Sequence, residues 1–195
     1  MRDTFFYKLI KPLLKLFISL YRPIVIGEYN IRKNDNYILV GNHTNKLDPI
    51  LVAFNIKKQV HFFAKDSLYK GIKKPIFKAL GIIPVNRSIK DKECLKMGIE
   101  ALNNNLVVGI FPEGTINRTH DIIMPFKFGA VKMAQETSKL IVPFVIINKY
   151  KFLKKSVIII FDKPYKITSN DLEKENNILM CKIRKIILEN KCEVL

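Results

Sequence analysis

The stretch VGNHTNKLDPILVAF, residues 40–54, passes from an apolar segment through a polar turn into a second apolar run. Its start belongs to NYILVGN (36–42), an apolar core bounded by asparagine and glycine, which predicts a buried strand. Its end belongs to DPILVAFNI (48–56), with Asp48 at the N-cap of a helix and Pro49 at the first helical position. A strand, a short loop and a helix in immediate succession are the building unit of α/β folds.

The same alternation runs along most of the chain. PIVIGEYNI, QVHFFAK, GIIPVNR, LVVGIF, LIVPFVII and SVIIIF read as further strands, rich in β-branched and aromatic residues. Pro84 in GIIPVNR suits an edge strand or a bulge. Between them, YKGIKKPIFKAL is a loop and helix, and SIKDKECLKMGIEALNNN is an amphipathic helix. That helix carries Ser88 and Asp91 as a cap pair and Leu95, Ile99 and Leu102 as its buried stripe. GAVKMAQETS and NDLEKENNILMCKIRKIILEN complete the helices, and PEGTINRTHDIIMPF (112–126) is a long loop. The class is therefore α/β: a central mixed, largely parallel sheet flanked by helices. No repeat, low-complexity tract or linker divides it, so residues 1–195 are expected to form a single domain.

The chain carries 34 basic and 17 acidic residues, a net charge of +17. That balance calls for a polyanionic surrounding, either nucleic acid or the anionic face of a membrane. Only six of the basic residues are arginine, so the field is diffuse rather than a set of bidentate clamps. A nucleic-acid binder would need a basic recognition helix, a zinc site or an aromatic sheet motif, and none is legible. A serine hydrolase would need a G-x-S-x-G elbow, also missing. Cys94, Cys181 and Cys192 are odd in number and lack metal-ligand spacing, as expected of reduced thiols in a cytosolic compartment. The longest apolar run, Leu140 to Ile147, is eight residues, against roughly 20 for a spanning helix.

The segment TFFYKLIKPLLKLFISLYRPI (4–24) has one narrow polar stripe of Thr4, Lys8, Lys11, Lys15, Ser19 and Arg22. Phenylalanines, leucines and isoleucines cover the remaining circumference, an arc wider than a surface helix needs. It can dock on the protein's own core, or lie in the plane of an anionic membrane with its cations among the headgroups. The width of the arc favours the membrane for residues 1–24. Pro12 is expected to kink this segment or split it into two helices.

His43 and Asp48 lie five positions apart, too far round a helix to share a face. They can meet if His43 precedes the helix and its loop folds back over the first turn. Asp48 would then accept the Nδ1 proton and leave Nε2 free as a base, as an orienting aspartate does for a histidine. Imidazole is suited to proton abstraction at neutral pH. The plainer alternative makes Asp48 only a helix cap and His43 a loop residue. Loops after YILVGN, IIPVNR and LVVGIF leave the carboxyl ends of strands, where ligands of open α/β sheets gather. They bring His43 and Asp48, Arg87, and Glu113, Gly114, Thr115 and Arg118 toward one edge. Arg87 has a fork suited to phosphate, and a glycine turn such as Gly114 lets a backbone approach an anion.

These blocks resemble those of the glycerolipid acyltransferases. NHTNKLDP matches their N-H-x4-D pattern, GIIPVNR their second block, FPEGT (111–115) their third, and IVPFVI (141–146) their apolar block with proline. The four occur in order within 37–147, the expected catalytic core, and the short length is similar to that of bacterial 1-acyl-glycerol-3-phosphate acyltransferases, which make phosphatidic acid. The resemblance implies that His43 deprotonates the sn-2 hydroxyl of lysophosphatidate and that Asp48 orients it. It implies that Arg87, Glu113, Gly114 and Thr115 hold the glycerol-phosphate; Lys65 and Lys127 are added as helpers on charge and position only. The acyl donor would be an acyl-carrier protein or coenzyme A thioester, with no further cofactor and no metal. The partner would be an anionic lipid surface rather than nucleic acid, on the cytoplasmic face of the cell membrane. Two positions depart from the pattern. Ile116 stands where arginine usually follows E-G-T, with Arg118 as a substitute two residues on, and Asn45 stands where serine is common. The changed phosphate site leaves another lysolipid, or glycerol-3-phosphate, as the alternative acceptor.

Overall fold

The computed structural model describes residues 5–31, 35–69, 73–86 and 92–191. In chain order its elements are α1 (Phe5–Ser19), β1 (Ile24–Ile26), β2 (Ile38–Gly41), α2 (Asp48–Asn55), β3 (Val60–Lys65), α3 (Lys73–Ala79), β4 (Ile83–Val85), α4 (Lys92–Asn103), β5 (Val107–Ile110), α5 (Gly129–Thr137), β6 (Ile141–Ile147), β7 (Ile158–Phe161) and α6 (Leu172–Lys191). The strands form one sheet in the order β1-β7-β6-β2-β5-β3-β4. β2 to β6 run parallel, β7 is antiparallel to β6, and β1 is parallel to β7. The expected mixed, largely parallel sheet is what forms.

The two-residue period of the strands sorts their side chains into two cores. Ile38, Val40, Val108, Ile141, Val145 and Ile160 face Ala101, Met133, Leu179 and Ile183 of α4, α5 and α6. Tyr37, Leu39, Val107, Phe144, Ile159 and Phe161 face Ile18 of α1 and Leu51 and Val52 of α2. The sheet is thus the middle of three layers. The near-continuous apolar sequence of β6 follows from burial on both faces, since all seven of its residues are buried.

β4 is an edge strand, which accommodates Pro84 without loss of a ladder bond from a central position. The first strand is shorter than PIVIGEYNI predicts: after Ile26 the chain turns through a left-handed Gly27 into a 3₁₀ turn over Glu28–Asn30. Pro12 does not split the first segment, and α1 runs unbroken across it. α1 packs against α2 with Tyr7 and Ile18 buried, and Lys11 Nζ donates to the carbonyl oxygens of Ile56 and Lys57 at 2.5 and 2.8 Å. Lys11 therefore serves the open C-terminal end of α2 instead of a headgroup. The Ser88 and Asp91 cap pair lies outside the described residues.

Asn42 lengthens the contact between the two central strands. Its side-chain amide donates to Ile146 O at 2.9 Å and accepts from Ile146 N at 2.8 Å, while remaining buried. It imitates one more step of the β2–β6 ladder just before the chain turns away into its loop. Asn42→Ala would strand both backbone groups, at a cost of about 2 kcal/mol or more. Thermal unfolding is expected to shift down by roughly 4–8 °C for a chain of this size; an unchanged melting temperature would show that the side chain does not join the strands.

Candidate functional site

Because β2 to β6 run the same way, their carboxyl ends share one edge of the sheet, and the loops after β2 and β5 meet there. His43 Nδ1 lies 2.9 Å from Asp48 Oδ2. A carboxylate oxygen can only accept in this arrangement, so the proton sits on Nδ1 and Nε2 is the basic nitrogen. Asp48 is wholly buried and its acceptor sites are well used. Oδ2 also accepts the amides of Thr44 at 2.6 Å and Asn45 at 2.8 Å, and Oδ1 accepts the Tyr150 hydroxyl at 2.7 Å.

This corrects the expected cap. Asp48 is the first residue of α2, Leu47 occupies the N-cap, and the carboxylate turns backward to the loop rather than forward to its own helix. Asn45 Oδ1 accepts the Leu47 amide at 3.1 Å, closing the loop on itself. The imidazole lies flat on Phe111, with ring centres 4.2 Å apart and planes 19° apart. Phe111 in turn stacks on Phe62 and meets Phe144 edge-on. Gly41 and Gly109, on adjacent central strands, make room for this aromatic cluster. A Cβ at either would overlap the ring of Phe144 or Phe62.

Glu113 is buried, and its two oxygens accept the His43 amide and the Met124 amide, each at 2.8 Å. It joins the β2 loop, the β5 loop and the far end of the 112–126 segment. Each oxygen holds one loop amide and Glu113 is not among the residues that line the cavity beside His43, so in this structure it ties the loops together. Burial pushes the carboxyl above its ordinary value, while the two amide bonds and His43 pull it down less strongly. Burial, and then the Asp48 charge, likewise raise the Tyr150 hydroxyl, which stays protonated as a donor.

His43 opens into a cavity of about 530 Å³ between the sheet edge, α4 and α5. Phe63, Leu95, Ile110 and Met133 make its walls apolar, and Lys92, Lys127 and Lys132 supply positive charge. Gly114 lines it in a left-handed turn, φ +74, and Lys127 lies over that glycine, so that an added Cβ would sit 3.0 Å from its Nζ. Of the expected residues, His43, Gly114 and Lys127 thus share the cavity and Asp48 backs it. Thr115, Arg118 and Lys65 are exposed and do not line it. Arg87 lies outside the described residues. Sequence reading missed Tyr150, 102 residues from Asp48, because no local pattern marks that bond. It also missed Phe111 as the floor under the imidazole, although FPEGT contains it.

The family model described as Acyltransferase matches residues 22–147. The 1-acyl-sn-glycerol-3-phosphate acyltransferase of Borreliella burgdorferi is 33% identical over 148 residues, 74% of this chain and 59% of that protein. The chain thus spans about three-fifths of that relative's length. The protein of the same description from Bacillus subtilis is 31% identical over 140 residues, 70% of this chain and 69% of that one. The crystal structure of the 1-acyl-sn-glycerophosphate acyltransferase of Thermotoga maritima superposes with a TM-score of 0.74 at 23% identity, covering 98% of this chain and 84% of that one. That likeness is one of fold.

The raised carboxyl of Glu113 has a measurable sign. A group held above its ordinary 4.5 in the folded state adds stability at low pH and loses it as pH rises through the folded value. The stability advantage of the wild type over Glu113→Gln should therefore shrink between pH 4 and neutrality, followed by denaturant unfolding at a series of pH values. An advantage that grows over that interval would mean that the amide bonds outweigh burial.

Proposed function

The chain belongs to the acyltransferase family, and on that footing we propose that it transfers an acyl chain from a thioester to the sn-2 hydroxyl of lysophosphatidate, giving phosphatidate. The observation that carries the reading is the His43–Asp48 bond at the mouth of an apolar cavity edged with lysines. The family and the names of the relatives support the reaction, and the geometry supports the roles.

His43 Nε2 takes the proton of the acceptor hydroxyl as its oxygen bonds to the thioester carbonyl carbon. The tetrahedral species collapses with cleavage of the carbon–sulfur bond, and the leaving thiolate recovers the proton from His43. Asp48 holds the tautomer and stabilises the transient imidazolium, and Phe111 holds the ring plane. Tyr150 and the Thr44 and Asn45 amides keep the carboxylate from rotating. Glu113 holds the backbone of His43. Lys127 meets the phosphate of the acceptor, in place of the arginine that Ile116 displaces, and the apolar walls take an acyl chain. The donor is an acyl-carrier protein or coenzyme A thioester. The reaction runs on an anionic membrane at its cytoplasmic face, with α1 lying on the bilayer. In support, no helix among the described residues is long and apolar enough to cross it.

Ile116 supports a second reading, in which the acceptor is a lysolipid of another headgroup or glycerol-3-phosphate. Both readings meet one assay: purified protein, each acceptor in turn, and each donor thioester. His43→Ala should lower turnover by about 10²- to 10⁴-fold, the usual worth of a general base, with the far-UV circular dichroism of the folded protein retained. A turnover within a few-fold of wild type would remove the mechanism. Separately, Lys127→Ala should raise the KM for the phosphate-bearing acceptor by about tenfold or more, the loss of one charge-assisted hydrogen bond. An unaltered KM would assign the phosphate to another group.

A further inference from the structure

We propose that the loop between β6 and β7, residues 148–157, is a second membrane-inserting element that seats its tip in an anionic lipid surface beside the active site. This rests on the reading of α1 as a membrane helix and adds to it. The tip is Phe152 and Leu153, 60% and 56% exposed. Around it Lys149, Lys151, Lys154 and Lys155 are all exposed, and the loop contains no acidic residue. Two apolar side chains ringed by four cations match an interface with acyl chains below and anionic headgroups above.

The loop does not hold these side chains outward by slackness. Ser156 Oγ donates to Lys149 O at 2.7 Å and accepts the Lys151 amide at 3.2 Å, closing the loop's base. The Leu153 amide donates to Leu20 O at 2.7 Å, which fixes the tip against the end of α1. Leu153 itself has φ +57, a left-handed conformation that disfavours a bulky residue. The protein's own core gains little from a leucine presented this way, whereas a bilayer would bury it.

The tip also continues an apolar ridge. Leu9, Leu13, Leu16 and Phe17 of α1 are 59%, 65%, 66% and 40% exposed, on the face turned away from α2. Phe17 meets Tyr21 edge-on at 5.8 Å between ring centres, and Tyr21 meets Phe152 at 6.0 Å. The ridge therefore runs from α1 through Tyr21 onto the loop. It ends at the sheet edge that carries His43, because β6 runs parallel to β2 and the loop leaves its carboxyl end. The base of the same loop supplies Tyr150, whose hydroxyl holds Asp48. A lipid surface at the tip would thus lie next to the dyad that acts on a lipid.

The chain has no tryptophan, so Phe152→Trp places a single indole at the tip. With vesicles containing phosphatidylglycerol, its emission should shift to the blue and be quenched by brominated acyl chains; phosphatidylcholine vesicles should give neither effect. In vesicle sedimentation, the Phe152→Ser and Leu153→Ser double variant should partition about tenfold more weakly than wild type, with circular-dichroism melting unchanged. Leu13→Ser with Leu16→Ser serves as the α1 control. If wild type sediments with anionic vesicles and only the α1 variant loses binding, with the indole unmoved, the loop proposal fails and the α1 reading stands. If wild type does not bind at all, the α1 reading fails and the loop proposal falls with it. An indole that shifts only with an acidic carrier protein would make the loop a protein-docking surface and overturn the lipid proposal.

Discussion

The carboxylate of Asp48 is the constraint around which this edge of the sheet is built. It is fully buried, and a buried carboxylate is costly unless its oxygens are hydrogen-bonded. Its partners come from three directions: His43 from across the loop, the Thr44 and Asn45 amides from beneath it, and Tyr150 from the far strand connection. Two successive amides can reach one oxygen only if the chain curls tightly between β2 and α2. That curl presents the imidazole edge-on to the carboxylate. The geometry of the dyad and the satisfaction of a buried charge are thus one requirement, and the loop has little freedom to adopt another shape.

Each neighbour of β2 in the sheet then clamps the curl. Asn42 ties its start to β6, and Glu113 ties the His43 amide to the loop after β5. The Asn117 amide donates to His43 O at 2.8 Å, so both backbone groups of His43 are held by the 112–126 segment. Phe111 fills the remaining side. The imidazole is fixed through backbone, ring face and Nδ1, which leaves Nε2 as its free coordinate. Such preorganisation lowers what a substrate must contribute on binding.

The strands and most helices were legible because their signals are local. β6 and β7 are apolar runs bounded by turns, and α6 has a helical period over its full length. The pairing of His43 with Asp48 was legible as a possibility, since five residues fix the reach but not the fold of the loop. What escaped depends on contacts distant in sequence. Tyr150 binds Asp48 across 102 residues. Glu113 stands in a motif that suggests a ligand, and the amides of His43 and Met124 that it accepts are brought to it only by the folded loops. The Asp48 cap failed for a related reason: the amides of Thr44 and Asn45 lie on the other side of the same carboxylate and won it from α2. Lys11 reads as part of a polar stripe, but the open carbonyls of Ile56 and Lys57 claim its ammonium.

The surroundings of Ile116 are set by the same edge. The loop after Gly114 is drawn toward His43 by the Asn117 amide, and a residue at 116 is held half-buried. Arg118 is exposed and does not line the cavity beside Gly114. Lys127 approaches from the opposite end of the segment, held by the hydrogen bond from its backbone amide to Pro112 O at 2.9 Å, and brings its ammonium over Gly114. A lysine is a point charge on a flexible stem, where arginine is a planar fork. The cavity beside His43 is therefore edged at this turn by a single mobile charge rather than by a fixed pair of donors.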